Sequence, residues 1–445
     1  MKWRSTVIYL IVLVLVGAVY LVMDRKHKEA ARVEIESKRV FAFDPQALRE
    51  IEIRSGDSAA VHLEKGEDWR ITQPVSAQVD KTAISGFVSS LGKAERERTI
   101  AEHSDKPAAF GLDKPSLVIR LRAGDEWLDM RAGAKNPADT SRYAGIGSDI
   151  FMITSATYDD LNKSLKDLRR KELFGWIPDQ VSSVEVKWRN SESLKLERQS
   201  DGRWKCLDRP EVEIKAKKVQ HLLDELHWLR AVDFAGPDAM PSSAQVEVGL
   251  KLKDGGTAEL KVGDQDPAKR QVMAASSEIG PVLVASHILE AIPKSAAAVA
   301  DISLISLDPA DIVQLTWKSG DAKGNLVRME NREWGTKEGD SPAKPVENSR
   351  EIRGFLSSLE TIEYIEPVEP ASNPPESAPN SVILVDAVGK KGSVVWEGLP
   401  SEASKTVVAW VDKNGATRAV KVKYDDLRRL NESLAQLAAG IKAKN

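Results

Sequence analysis

The chain repeats itself three times, and a threefold internal repeat leaves few folds open. The hexapeptide GFVSSL at 86–91 returns as GFLSSL at 354–359, 268 residues later. Tyr158-Asp159-Asp160-Leu161 returns as Tyr424-Asp425-Asp426-Leu427 at an offset of 266. Half that offset locates a middle copy. Trp69, Trp204 and Trp334 are spaced by 135 and 130 residues, and Pro74, Pro210 and Pro345 by 136 and 135. Behind each proline stands one helical pattern, with apolar residues at i, i+3, i+4 and i+7. These are Ile84, Phe87, Val88 and Leu91, then Val219, Leu222, Leu223 and Leu226, then Ile352, Phe355, Leu356 and Leu359.

Alternating runs surround each helix. A short strand opens the unit at 51–53, 184–186 and 312–315. A second strand runs into the tryptophan at 61–71 and 194–206, with Gly66 and Gly202 placed where a hairpin turns. After the helix come 117–121, 246–252 and 381–385, then 127–133, 258–264 and 394–398. A last strand pair (142–145 with 150–154) precedes a closing helix that begins near Tyr158 or Tyr424. The unit predicted is β-β-α-β-β-β-β-α, an antiparallel sheet with helices on one face, hence an α+β fold. Aligning the copies puts units at 41–175, 176–305 and 306–445, behind an anchor and stalk at 1–40. The proline-rich stretch 366–380 is expected to be a surface loop inside the third unit.

The anchor is a separate feature. Val7 to Met23 is a 17-residue run without a charge, flanked by Lys2 and Arg4 before it and Asp24-Arg25-Lys26 after it. Such a helix is about 25 Å long, and Ser5 and Thr6 extend it toward the ~30 Å of a bilayer core. Trp3 and Tyr20 stand where amphipathic aromatics favour the membrane interface. The run ends in Leu21-Val22-Met23-Asp24, which lacks the small residues of a cleavage site, so an uncleaved signal anchor is expected rather than a removed signal peptide. The sequence thus predicts one N-terminal transmembrane helix through residues 5–23, followed by a short helical stalk at 24–38. Basic residues on both sides leave orientation to a weaker argument: a single cysteine suits an extracytoplasmic, periplasmic body on the inner membrane.

Motifs in the first unit carry a resemblance. Trp69-Arg70-Ile71-Thr72-Gln73-Pro74, then Asp80 with its apolar helix, then Phe110-Gly111-Leu112-Asp113-Lys114-Pro115 resemble an uncharacterised bacterial domain-of-unknown-function family. That family carries repeated Trp-x-Ile-x-x-Pro units and is similar to auxiliary components of gliding-motility-type ABC transport systems. The second and third copies lack the Phe-Gly-Leu element. The resemblance implies a single membrane anchor and association with a transporter permease or ATPase. It brings no catalytic residue.

Chemistry-bearing constellations are sparse. Gly389-Lys390-Lys391-Gly392-Ser393 lacks P-loop spacing and lies between two predicted strands, where a hairpin turn is expected. His221 and His227 lie six apart on one helix, too far out of phase to share a metal. Cys206 takes the place of Ile71 and reads as a small buried hydrophobe rather than a reactive thiol. Asp159-Asp160 and Asp425-Asp426 are expected to begin helices, where acidic residues suit the dipole. No cofactor or metal is called for. Lys plus Arg number 64 against 67 Asp plus Glu, a net charge of −3, which gives no electrostatic footprint for nucleic acid.

Trp69, Trp204 and Trp334 read as core plugs between hairpin and helix. Trp188, Trp317, Trp396 and Trp410 are the candidate ligand or partner contacts. Exposed together, they would stack on peptidoglycan or another glycan; buried, they are cross-strand packing. The function expected is therefore a non-enzymatic, membrane-anchored accessory or scaffold protein of the cell envelope, associated with an ABC-type transporter. The alternatives are a glycan-binding module using those tryptophans and an envelope enzyme with an unrecognised site.

Overall fold

The computed structural model describes residues 37–441 apart from 237–238, 240–243, 267, 340, 347–348, 369–372, 400–404 and 414, together with positions 3, 13, 20 and 23. The expected membrane-spanning segment at 5–23 therefore lies almost wholly outside the described residues. Among the described residues no helix is long and apolar enough to cross a membrane.

Three antiparallel sheets with helices make up the body. The first contains β1 (Leu48–Ser55), β2 (Val61–Lys65), β3 (Trp69–Gln73), β4 (Ala77–Gln78), helix α1 (Lys81–Lys93), β5 (Arg98–Ala101), β6 (Leu117–Ala123), β7 (Glu126–Lys135), β8 (Ser141–Ile146) and β9 (Asp149–Thr154). Its strand order is β4-β3-β2-β1-β6-β7-β8-β9-β5. Helices α2 (Ser155–Leu161) and α3 (Leu165–Leu168) follow.

The second sheet contains β10 (Val181–Trp188), β11 (Leu194–Arg198), β12 (Trp204–Cys206), β13 (Asp233–Phe234), β14 (Val246–Leu252), β15 (Thr257–Val262), β16 (Gln271–Ser276) and β17 (Gly280–Ala285), with helices α4 (Ala216–His227), α5 (Ile288–Ala291) and α6 (Ala296–Val299). Its order is β12-β11-β10-β14-β15-β16-β17-β13. The third contains β18 (Ile312–Ser319), β19 (Ala322–Arg328), β20 (Trp334–Thr336), β21 (Lys344–Pro345), helix α7 (Arg350–Thr361), β22 (Tyr364–Pro367), β23 (Asn380–Asp386), β24 (Lys391–Trp396), β25 (Thr406–Lys413), β26 (Ala416–Lys423) and helix α8 (Tyr424–Gly440). Its order, β21-β20-β19-β18-β23-β24-β25-β26-β22, repeats that of the first strand for strand.

Alternation explains the layers. In the first sheet Ile51 pairs with Leu63 and Leu121, and Ile53 with Val61 and Ile119. All of these are buried, together with Ile84, Phe87 and Leu91 of α1. Burying each such side chain contributes about 1.5–3 kcal/mol. The opposite face carries Glu50, Glu52, Arg120 and Arg122, with an Arg122–Glu50 ion pair of 2.7 Å. One apolar and one charged face is what antiparallel alternation produces.

The predicted unit had six strands; the first and third sheets have nine. Two additions in each are edge strands of two to four residues, such as β4, β5 and β22, too short for alternation to show, and the third arises because the run expected as one strand at 61–71 folds as the hairpin β2–β3. The closing helix of the first copy also differs from expectation. It starts at Ser155, capped by Thr154, so Asp159 and Asp160 lie in its last turn and not at its start. It breaks after Leu161, because Ser164 and Asp167 form a reciprocal capping box that begins α3. In the third copy Asp425 and Asp426 do occupy the first turn of α8. Gly389 adopts φ +85° in the turn between β23 and β24, as expected for a hairpin.

The Phe-Gly-Leu element has a structural explanation. Gly111 ends the short 3-10 turn Pro107–Phe110 in the left-handed region at φ +69°. A Cβ on the facing Gly133 of β7 would lie 2.3 Å from the Phe110 carbonyl oxygen. Leu112 is buried and the Phe110 ring meets Tyr143 edge-on at 5.0 Å. The element clasps the loop against β7.

Residue contacts group the chain into two units, one holding residues up to Lys195 with Gln220–Lys294, the other Leu196–Val219 with Ser295–Asn445.

Candidate functional site

Within the first unit, the β2–β3 hairpin closes on the pair Lys65 and Trp69. Asp80 caps α1: its Oδ1 accepts from the Thr82 and Ala83 amides, both at 2.9 Å. This satisfies two of the donors a helix leaves free at its start. The segment following α3 then straps across this end. The Asp80 amide donates to the Leu168 carbonyl and the Arg170 amide to the Gln78 carbonyl, each at 2.9 Å. A few residues on, the Ala231 amide donates to Lys171 at 2.8 Å and the Leu173 amide to Leu229 at 3.2 Å. Arg230 reaches Glu172 at 2.6 Å and Asp80 at 3.7 Å.

Hairpin, helix start and strap enclose a groove of about 910 Å³. Its charged lining is mostly spoken for. Lys81 pairs with Asp68 at 2.8 Å, Arg170 with Glu278 at 3.0 Å, and Asp80 and Glu172 share Arg230. Lys65 and Arg70 also line it and have no ion pair among the described residues.

Trp69 is the wall of this groove and is half-buried, whereas Trp204 and Trp334 are buried, as core plugs should be. The difference has a visible cause. The strand register places Lys65 opposite Trp69, Arg198 opposite Trp204 and Arg328 opposite Trp334. The Arg198 guanidinium lies 5.0 Å from the Trp204 ring and that of Arg328 5.8 Å from Trp334. Each planar cation covers its indole. No cation covers Trp69 among the described residues. Trp69 thus lines the groove beside Lys65 and Arg70 while packing in part against the core of its own sheet.

With this geometry in view, the sequence profile of DUF4340, a domain of unknown function, matches the chain twice, over residues 69–247 and 241–381. The chain belongs to the DUF4340 family. Of the residues that carried the sequence resemblance, Trp69 and Asp80 line the groove and Ile71 is buried. No curated protein matches the chain. Among solved structures, the chain is aligned with a DNA polymerase sliding clamp from Pseudomonas aeruginosa at 8% identity, covering 87% of this chain and 94% of that one, with a TM-score of 0.17. The DNA polymerase III subunit beta from the same organism aligns at 8% identity over 87% and 95%, also with a TM-score of 0.17. Similarity of that degree carries no argument about fold or function.

The candidate contacts named from the sequence are not brought together on a surface. Trp188, Trp317, Trp396 and Trp410 are all buried, between 0% and 8% exposed. Trp188 donates from Nε1 to the Pro293 carbonyl at 2.9 Å. Trp317 lies on Gly324, its cross-strand partner, where a Cβ would come within 2.6 Å of the ring. The exposure that stacking on a glycan requires of these four is thereby corrected: all are buried, and the Trp188 ring has the Lys294 ammonium 5.4 Å from its centre. Trp3 and Tyr20, the expected interface aromatics, are helical and exposed at 85% and 69%.

Cys206 is free and buried, and His227 holds its Nδ1 2.7 Å from the Trp176 carbonyl. Among the described residues no cluster of three His, Cys, Asp or Glu side chains could hold a metal. Sequence reasoning missed the groove because the tryptophan follows Lys65 by four residues but Arg198 and Arg328 by six. Only the hairpin register aligns them.

Proposed function

We propose that this DUF4340 protein is a non-enzymatic accessory or scaffold subunit of the cell envelope, anchored in the inner membrane by residues 5–23 with its body outside the cytoplasm. We further propose that it serves an ABC-type transport system through contact with the permease or ATPase. The apolar run at 7–23 supports the anchor, and the exposed Trp3 and Tyr20 suit the interfaces.

The observation that carries the scaffold reading is a strap used three times. The chain entering each sheet pairs with the residues just before that sheet's edge strand. The Val40 amide donates to Ala94 at 2.8 Å, Ala231 to Lys171 at 2.8 Å, and Leu304 to Ile362 at 3.1 Å. Successive units of this kind, at 41–175, 176–305 and 306–445 on our division, each take up the chain at the same place. Tandem units that share one plan each offer a similar surface, which suits a scaffold. The entry strap at 38–40 would pass any pull from the anchor directly into the first sheet.

In-membrane crosslinking, mild detergent extraction and mass spectrometry test the proposal. Recovery of a polytopic permease or its ATPase crosslinked to this chain is the expected result. Extraction of the chain by alkaline carbonate, or its isolation from crosslinked membranes as a lone species, would sink it.

A further inference from the structure

Two of the straps match bond for bond along the backbone, yet their charges are opposite. Where the chain leaves the first sheet, the Asp80 amide donates to the Leu168 carbonyl and the Arg170 amide to that of Gln78, each at 2.9 Å. Where it leaves the second, the Lys215 amide donates to the Val299 carbonyl at 2.9 Å and the Asp301 amide to that of Glu213 at 2.7 Å. Further on, the Leu173 amide donates to Leu229 and the Leu304 amide to Ile362, beside the bridges Glu172–Arg230 and Ser303–Glu363. Lys215 therefore takes the place of Asp80, Asp301 that of Arg170, Glu213 that of Gln78, and Glu363 that of Arg230. Glu278, in the turn between β16 and β17, and Lys413, where β25 turns into β26, stand at matching corners of the sheets that follow.

Both ion pairs reverse sign between the two places. Asp80 pairs with Arg230 at 3.7 Å, and Lys215 with Glu363 at 3.3 Å. Arg170 pairs with Glu278 at 3.0 Å, and Asp301 with Lys413 at 3.9 Å. The added members keep the same signs: Glu172 joins Arg230 at 2.6 Å and Lys218 joins Glu363 at 3.0 Å. We propose that this reversal is an address, which matches each strap to the one sheet that follows it and rejects the corresponding edge of a second copy of this chain.

The wrong pairings show why. The first strap, laid on the third sheet's edge of another copy, would set Asp80 and Glu172 against Glu363, and Arg170 against Lys413. The second strap, laid on another copy's second sheet, would set Lys215 and Lys218 against Arg230, and Asp301 against Glu278. Every one of these contacts is repulsive. The side chains of Asp80, Arg170, Lys215, Asp301 and Lys413 are at most 20% exposed, so salt and water screen that repulsion poorly. Repeats of one plan are prone to exchange, because each edge offers the same backbone bonds to every strap. Charge discriminates where backbone cannot, and it does so through the penalty on the wrong partner even if the right pair contributes little stability.

The test uses the full chain in detergent. Two differently tagged copies are mixed in urea, refolded together by dilution, and captured through one tag. The variant E213Q/K215D/K218A/D301R/E363R/K413E gives the second strap and its edge the signs of the first, Ala83 being the counterpart of Lys218. Its own pairs stay complementary, so it is expected to fold, while the first strap now fits two edges and capture of the other tag rises by about fivefold or more. The milder K215Q/K218Q/E363Q removes the outer repulsion without reversing a sign and is expected to raise capture about twofold; it decides the matter if the first variant does not fold. A folded variant of either kind that exchanges no more than the parent would overturn the proposal. Extensive exchange by the parent itself would do the same.

Discussion

Replacing Gly133 by alanine asks whether the Phe-Gly-Leu element is a structural clasp. The added Cβ would lie 2.3 Å from the Phe110 carbonyl oxygen and 2.8 Å from the Gly111 carbonyl carbon and oxygen. Those are backbone atoms, fixed by the left-handed Gly111 and by Leu112 buried behind it. No side chain can swing aside, so either β7 or the loop must move by about an ångström. Overpacking of this kind costs typically 1–3 kcal/mol and more where backbone must shift, so about 3 kcal/mol is expected. For a cooperative unit of roughly 130 residues, with about 2.1 cal/mol/K of unfolding entropy per residue, this lowers the melting temperature by about 10 °C. The matched control is Gly249→Ala in β14, also a strand glycine, with nothing within 4 Å of the new Cβ. It is expected to be neutral or slightly stabilising, since glycine weakens a strand interior. Calorimetry of both variants, with hydrogen exchange to locate the loss to residues 107–154, makes the comparison. If Gly133→Ala melts with the parent, the clasp argument is refuted.

Further outcomes follow from the same packing. Asp80→Ala removes the α1 cap and one partner of Arg230, with an expected loss of about 1 kcal/mol in urea unfolding, while Asp80→Asn retains most of the cap. Cys206, the single cysteine, is fully buried and is expected to resist Ellman's reagent until denaturant is added; rapid native reaction would contradict its burial. In the second unit, burial would raise the Asp301 carboxyl, but the Ser306 hydroxyl, the Lys413 charge and the Ser303 hydroxyl and amide together outweigh it and hold it below the usual carboxylate value. Its stabilisation is therefore complete above the unfolded value of about 3.9 and is lost as pH falls through the lowered folded value. Burial likewise lowers the Lys413 ammonium, against the attraction of Asp301 and Glu213, so its cost is relieved as pH rises between its folded and unfolded values. Asp301→Asn is expected to cost about 3 kcal/mol at neutral pH, and Asp301→Asn with Lys413→Met markedly less, because the unpaired buried ammonium is then gone. A double variant no more stable than the single one would contradict that account.

Much of the architecture was legible in the sequence. The three helices at 81–93, 216–227 and 350–361 announce themselves by apolar spacing, and the long strands by alternation, because each buries one face along its whole length. The Trp and Pro positions fix the period of the repeat without any contact being known. Buried Cys206 and the hairpin at Gly389 were equally plain, since each follows from a local pattern.

What the sequence could not fix were features that depend on partners distant along the chain. Strands of two residues such as β4 and β13 exist only because a neighbour presents free backbone groups to them. The break after Leu161 depends on a cap that competes with helix continuation. Whether Trp317 or Trp396 faces water or core is settled by which side of its sheet the helices cover and by the space that Gly324 leaves. The Trp69 groove is the sharpest case. Linear spacing hides the equivalence of Lys65, Arg198 and Arg328; the hairpin register reveals it. A repeat is written in local periodicity, which sequence carries directly. The groove is written in the juxtaposition of a cross-strand pair, a helix start and a strap about a hundred residues onward, and only the tertiary fold brings these together.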